Sequence, residues 1–307
     1  MAAALLVAEG CLPPPGSGGL SPAVARADSV AQAAIRNEQA IDPATFPERS
    51  IGVVPLAVAT RDTTLAALGW GLADLLTTDL ARSRALQVVE RVQVDALMRE
   101  LDLAASGRVD SSTAPKVGRL LGARQLVTGA VTELPDSRLE LNTRLADVVR
   151  GQVSGVASQA ISLDLILDAE KALAFSLLDQ LGVTLTPAER AAIEQRPTRN
   201  IAALLAYSRG VRDEALGDYR SAVNGYQDVV RLDPSFGQAR TRLQGAQATV
   251  GDVPASGGAA EQLRRTVDLA AESINRGALP ITSDAADAGF RASTQQLITL
   301  IIRLTIP

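Results

Sequence analysis

The 307-residue chain has no histidine, one cysteine (Cys11), two lysines (Lys116 and Lys171) and 3% aromatic residues. Without histidine, neither Ser-His-Asp nor Cys-His catalysis is possible, and no metal can take an imidazole ligand. One thiol cannot close an intrachain disulfide or build a thiolate zinc cluster. Neither lysine follows a glycine as a phosphate-binding loop requires, and no glycine cluster forms a dinucleotide fingerprint, so no cofactor is expected. Thirty basic and 34 acidic residues are mixed along the chain with no basic block. With so few aromatics to stack on bases, nucleic acid is not an expected partner. The best remaining candidates for chemistry are carboxylates such as Asp147 or Glu90, and surface carboxylates are ordinarily just solvated. The chain is therefore expected not to be an enzyme. No stretch reaches the roughly 18 apolar residues of a transmembrane helix.

What is present fits a globular protein of about two domains, because 47% of residues are apolar and 21% charged. The first segment, MAAALLVAEGCLPPPGSGG, sets an apolar run before Cys11 and a Pro/Gly stretch after it. A short apolar run ending in small residues before a cysteine resembles a signal peptide with a bacterial lipobox. Gly10 fits that pattern, whereas Ala8 and Glu9 depart from it. The resemblance implies acylation of Cys11 and attachment to a membrane. Residues 13–19 cannot form a helix or a paired strand and read as a tether. Leu12 is not the aspartate associated with inner-membrane retention, so the resemblance implies an outer-membrane location facing the periplasm.

From Ile51 the pattern becomes α/β. Residues 51–56 form a continuous apolar run, as in a buried strand. Asp62 or Thr63 can cap a helix carrying Leu65, Leu68, Leu72, Leu75, Leu76 and Leu80 on one face, with Trp70 near its edge. Further strands are expected at 86–90 and 125–131, helices at 94–101 and from Pro115 to Gly122, a hairpin at 139–161 turning at Arg150-Gly151, and a helix at 163–181. The expected fold class is α/β, a mixed sheet of about five strands covered by helices, followed by a helical hairpin, a short helix and a C-terminal strand.

The order IGVVPLAV, GWGLADLLTTDLARSRALQVVERVQVDALMREL, VGRLLGARQLVTGAVTEL and RLELNTRLADVVRGQV resembles the TolB amino-terminal and CsgG-like fold. The resemblance covers about residues 50 to 185 and implies a bacterial envelope protein, often a lipoprotein, in agreement with Cys11. It does not extend to a pore. The span from Thr128 to Ile161 is a compact hairpin with no room for added membrane-spanning strands of about 9–11 residues each.

Residues 201–240 resemble a tetratricopeptide repeat through Gly210, Gly217-Asp218-Tyr219, Ala222, Tyr226 and Leu232-Asp233-Pro234. In that register Gly210 and Ala222 are small where two antiparallel helices approach. Tyr219 and Tyr226 fill the space between them, and Pro234 ends the second helix. Arg209 and Asp213 depart from the motif. A short helix is expected before the repeat at 187–195 and another after it at 261–274, and the alternative is a plain helical hairpin packed on the α/β domain. The β-branched tail from Leu297 to Ile306 reads as a strand that should pair with a sheet edge or a partner.

The expected organisation is a signal peptide and lipobox at 1–11, then a tether and N-terminal helix at 12–47. The CsgG/TolB-like domain occupies 48–186, the TPR-like region 187–250, and a loop, helix and strand 251–307. Together these imply a non-enzymatic, lipid-anchored envelope protein that scaffolds or assembles other proteins through its α/β domain and repeat, with a homo-oligomer also possible. The alternative is a soluble periplasmic or cytoplasmic adaptor in which Cys11 is incidental.

Overall fold

The computed structural model describes residues 22–103 and 109–252, with backbone alone at 157, 158, 251 and 252. The expected lipobox, the helix at 261–274 and the terminal strand lie outside the described residues.

Helix α1 (Pro22–Arg36) leads through two short 3-10 turns to strand β1 (Ser50–Val53), strand β2 (Ala57–Ala59) and helix α2 (Leu68–Leu80). The strand expected over 51–56 is thus shorter: β1 ends at Val53, residues 54–56 form a break, and β2 begins beyond the run at Ala57. Pro55 has no N–H to offer a ladder, and the Leu56 N–H donates to the Gly69 carbonyl at 3.2 Å. A Cβ on Gly69 would overlap the Leu56 carbonyl, so this approach of α2 to the break requires glycine. Asp62 does act as a cap, accepting from the Thr64 N–H at 2.8 Å, but it caps a 3-10 turn at Thr63–Leu65 and α2 begins later. Trp70 is buried, not at an edge, and the Arg91 guanidinium lies 5.3 Å from its ring centroid.

Strand β3 (Gln87–Val88) is only two residues long and is followed by helices α3 (Arg91–Glu100) and α4 (Ala114–Leu120). Asp110 accepts hydrogen bonds from Ser112 and Thr113 just ahead of α4, which holds its carboxyl down at about 2. Gly122, at φ +67°, turns the chain out of α4. Strands β4 (Gln125–Glu133), β5 (Leu139–Asp147) and β6 (Gln152–Ile161) then form an antiparallel meander. Its second turn is closed by the Arg150 N–H on the Asp147 carboxylate at 2.9 Å and by Gly151 at φ +65°. Helices α5 (Ile166–Gln180), α6 (Pro187–Glu194), α7 (Ile201–Ala215), α8 (Tyr219–Leu232) and α9 (Gly237–Asp252) complete the described chain. A capping box at Thr186 and Glu189 starts α6.

The sheet runs β3-β1-β4-β5-β6, with β2 also on β4. Strands β1 and β2 both pair parallel to β4, and β1 pairs parallel to β3, so the sheet is mixed and has six strands. The period of two along β4 divides its side chains between two cores. Val127 and Val131 face α2 and α5, while Leu126 faces α3, α4 and the alanine stripe of α1. The first core continues without a break into α7, α8 and α9, through Tyr207, Val211, Ala222, Tyr226, Val229 and Phe236.

Candidate protein-docking unit

The α7–α8 hairpin is fixed at both ends by short polar side chains. Asn200 caps α7 by accepting from the Ala203 N–H and reaches across to donate to the Leu232 carbonyl at 3.1 Å. Thr198 donates to Asp233 at 2.5 Å beside that contact. At the other end Gly217 takes φ +83°, and Asp218 caps α8 by accepting from the Ser221 N–H at 3.0 Å. These bonds join the start of α7 to the end of α8, so the two helices run antiparallel.

Among the residues singled out from the sequence, the structure brings Gly210, Ala222 and Tyr226 into one buried interface. A Cβ on Gly210 would stand 2.6 Å from the Tyr226 ring. Ala222 and Tyr226 are fully buried. Tyr219 is half-buried in the first turn of α8, close to the charges of Arg99, Glu214 and Asp28. Pro234 is exposed, one residue beyond the Asp233 cap of α8. Cys11 lies outside the described residues.

Other packing residues were not singled out. Gly225 is one: a Cβ there would sit 3.0 Å from the Gly210 backbone, so the closest helix approach is glycine on glycine. Phe236 is another, stacked 4.7 Å from Tyr207, which in turn lies 5.9 Å from Tyr226. Gly225 follows the helical spacing of small positions in α8, but that spacing does not say which face meets which neighbour, and Phe236 lies in the link between α8 and α9 where no period applies.

The face of α7 turned away from α8 is occupied by α2 of the same chain. Gly71 packs so closely on Ser208 that a Cβ would overlap the Ser208 hydroxyl. Beside this contact Asp74 accepts from the Tyr207 hydroxyl at 2.5 Å, from Gln238 at 3.0 Å and from the Arg242 guanidinium. Arg242 also reaches Glu214 at 3.2 Å, and Glu214 accepts from the Tyr226 hydroxyl at 2.6 Å. Burial holds both tyrosines well above the ordinary phenol range, so they remain protonated donors. Burial acts to lower Arg242, but the Asp74 and Glu214 carboxylates outweigh it and hold the guanidinium well above its ordinary value. One arginine from α9 thus ties α2 to α7 through two carboxylates, and every member of the network has a partner.

A second buried cluster joins α2 to α5. Lys171 pairs with Asp79 and lies 3.3 Å from Glu170. Neither Glu170 oxygen has a hydrogen-bond partner among the described residues. Burial first, then the Asp79 charge, raises the Glu170 carboxyl to about 8, with Lys171 opposing. Burial also raises Asp79. On the opposite face of the sheet, a groove of about 530 Å³ lies over β2, β4 and β5 beside residues 109–111. Its floor is Ala57, Ala59, Thr128, Ala130, Thr132 and Asn142, and its rim includes Glu140 and Arg144, the latter donating to Ser111 at 2.5 Å. Small and neutral on the floor and charged at the rim, this groove can seat a polypeptide.

The family model described as the curli production assembly/transport component CsgG matches residues 45–144, from just before β1 into β5. The Tol-Pal system protein TolB of Albidiferax ferrireducens is 36% identical over 103 residues, which is 33% of this chain and 21% of that protein. The chain therefore spans about a fifth of the length of the curated relative it matches. Among solved structures, the LpoB C-terminal domain of Salmonella enterica matches at 16% identity and a TM-score of 0.31, over 44% of this chain and 98% of that one. Escherichia coli LpoB matches at 18% and 0.30 over 53% and 79%. The lipoprotein GNA1162 of Neisseria meningitidis matches at 19% and 0.29 over 45% and 99%. The matches to CsgG and TolB support the CsgG/TolB-like resemblance first seen in the strand and helix order.

Proposed function

We propose that this is a non-enzymatic cell-envelope protein, anchored by a lipid on Cys11, that assembles other proteins through its α/β domain and its TPR-like helices. The observation that carries the proposal is the match of residues 45–144 to an assembly and transport component, with a stretch 36% identical to a Tol-Pal system protein. The geometry adds a constraint on how partners dock. The α7 face is filled by α2, and Arg242 ties α9 to Asp74, so a partner meets the α/β domain and the helices as one body. The open sheet-face groove and the outward faces of α8 and α9 are then the docking surfaces.

The test is metabolic labelling with a fatty-acid analogue in a bacterial host, with membrane fractionation of the wild type and Cys11→Ala. Label on the wild type alone, with release of the variant to the soluble fraction, supports the proposal. An unlabelled wild type that fractionates as the variant does would end the lipoprotein reading. A second reading, a soluble adaptor with an incidental Cys11, is favoured by Ala8 and Glu9, which depart from a lipobox.

A further inference from the structure

Arg82, just past the end of α2, stands where two cavities meet. One, of about 280 Å³, is lined by Asp79, Lys171 and Arg196. The other, of about 600 Å³, opens between α2 and α9 beside Glu214, Thr241, Arg242 and Gly245. Thr78, Arg82 and Gln238 line both, so the two form one trough. The Gln238 amide donates to the Thr78 hydroxyl at 2.8 Å and joins α2 to α9 across it.

The charges of this trough are paired within the chain except at one residue. Lys171 pairs with Asp79, Arg196 with Asp168, and Arg242 with Asp74 and Glu214. Arg82 belongs to none of these pairs. It is exposed, and its charge acts on the Asp79 carboxyl without an ion pair between them. A guanidinium in this position suits a carboxylate, which it can hold through two parallel hydrogen bonds.

A separate observation says what lies beside that carboxylate. Glycine weakens a helix interior relative to alanine and is of use there where another backbone comes close. Gly69, Gly71, Gly118, Gly210 and Gly225 each have a neighbour that a Cβ would press against. Gly245, inside α9, has none: a Cβ there would meet nothing within 4 Å. It is exposed on the wall of the larger cavity. Nothing among the described residues uses the space that this glycine leaves.

We propose that the trough between α2 and α9 binds an acidic polypeptide segment of a partner, with one carboxylate on the Arg82 guanidinium and the peptide backbone against Gly245. The trough extends over both cavities, beyond the reach of a single small anion, and its point of close approach at Gly245 carries no charge. A basic segment would find no free carboxylate, because Asp79 is held by Lys171 and Glu214 by Arg242 and the Tyr226 hydroxyl. The inference rests on the reading that partners dock on the helices and is independent of the lipid anchor.

Fluorescence anisotropy on the full-length chain at low salt tests it, with a labelled peptide of alternating glutamate and serine and its lysine–serine counterpart. The glutamate peptide should bind more tightly, and its affinity should fall as salt is added. Arg82→Gln should weaken it about fivefold, whereas Arg36→Gln, an equal loss of charge at an exposed position on α1, should leave it within about twofold. Gly245→Leu projects a side chain into the trough and should weaken binding at least as much as Arg82→Gln. Its melting temperature should not fall, since leucine favours the helix more than glycine does. Equal binding of the two peptides overturns the inference, as does equal weakening by Arg82→Gln and Arg36→Gln, or wild-type affinity in Gly245→Leu. Displacement of the peptide by an equal concentration of inorganic phosphate would assign the trough to a small anion and overturn it too. Failure here leaves the sheet-face groove and the labelling of Cys11 to stand or fall on their own test.

Discussion

Glu170 should make the protein less stable as pH rises through neutrality, and Glu170→Gln should remove that dependence. The carboxyl is buried between α2 and α5, neither oxygen has a hydrogen-bond partner among the described residues, and its pKa is raised to about 8. Its unfolded value is near 4.5. A carboxyl whose folded pKa is raised contributes stability fully below the unfolded value and loses it as pH climbs through the folded one. At roughly 1.4 kcal/mol per pH unit, the whole loss between about pH 4.5 and 8 has a ceiling of about 5 kcal/mol. That is comparable to the entire stability of an ordinary domain, about 5–15 kcal/mol.

Only part of that window isolates Glu170. Asp95, raised by burial to about 6 despite its 2.9 Å pair with Arg91, loses its own contribution as pH climbs from about 4 to 6. Asp79 is raised in the same direction as Glu170 and belongs to the same cluster. Between pH 6.5 and 8 the wild type should therefore lose about 2 kcal/mol. In urea this lowers the unfolding midpoint by roughly 0.7 M if the slope is near 3 kcal/mol/M. Glu170→Gln keeps the shape and stays neutral, so its midpoint should stay level over this range and exceed the wild type's at pH 8. Unfolding followed by circular dichroism at half-unit steps makes the comparison. A level wild-type midpoint, or an equal fall in the variant, would refute the reasoning that burial holds a proton on Glu170.

Asp95→Asn should similarly flatten the pH dependence of the midpoint between about pH 4 and 6 while leaving the higher window unchanged, measurable in the same titration. Arg242→Met leaves buried Asp74 and half-buried Glu214 without their cation and should cost about 3 kcal/mol. Adding Asp74→Leu should recover part of that loss in urea unfolding. Gly71→Ala drives a methyl into Ser208 and should cost about 1–3 kcal/mol, with Ser208→Gly relieving it. Ala222→Leu should cost about the same at the α7–α8 interface. Replacing Asp228, whose pair with Arg231 is on the surface, should stay within about 0.5 kcal/mol.

The α/β alternation was legible because each element carries its own period. The leucines of α2, the alternation of β5 and the Arg150-Gly151 turn are all local signals. The Asp62 cap was legible in the same way, since it bonds to backbone two residues on, whereas the caps at Thr186, Asn200 and Asp218 were not singled out although each bonds to backbone three residues on. The extent of the first strand was not. Its apolar run is uninterrupted, and the break at Pro55 depends on a carbonyl from Gly69, fourteen positions away. The hairpin register placed Gly210, Ala222 and Tyr226 but passed over Gly225, whose role exists only once two helices touch.

By itself the sequence determined what chemistry it lacks, the order of helices and strands in the α/β domain, and which faces are apolar. Those properties follow from composition and from backbone geometry acting over a few residues. The tertiary structure decided that α2 fills the outer face of α7 and that Arg242 is shared between Asp74 and Glu214. It also decided that Glu170 is buried beside Asp79 and Lys171. Each of these depends on groups brought together from distant parts of the chain, where burial and proximity change what a side chain does. No local pattern records that Asp74 and Arg242, 168 residues apart, will share one desolvated site.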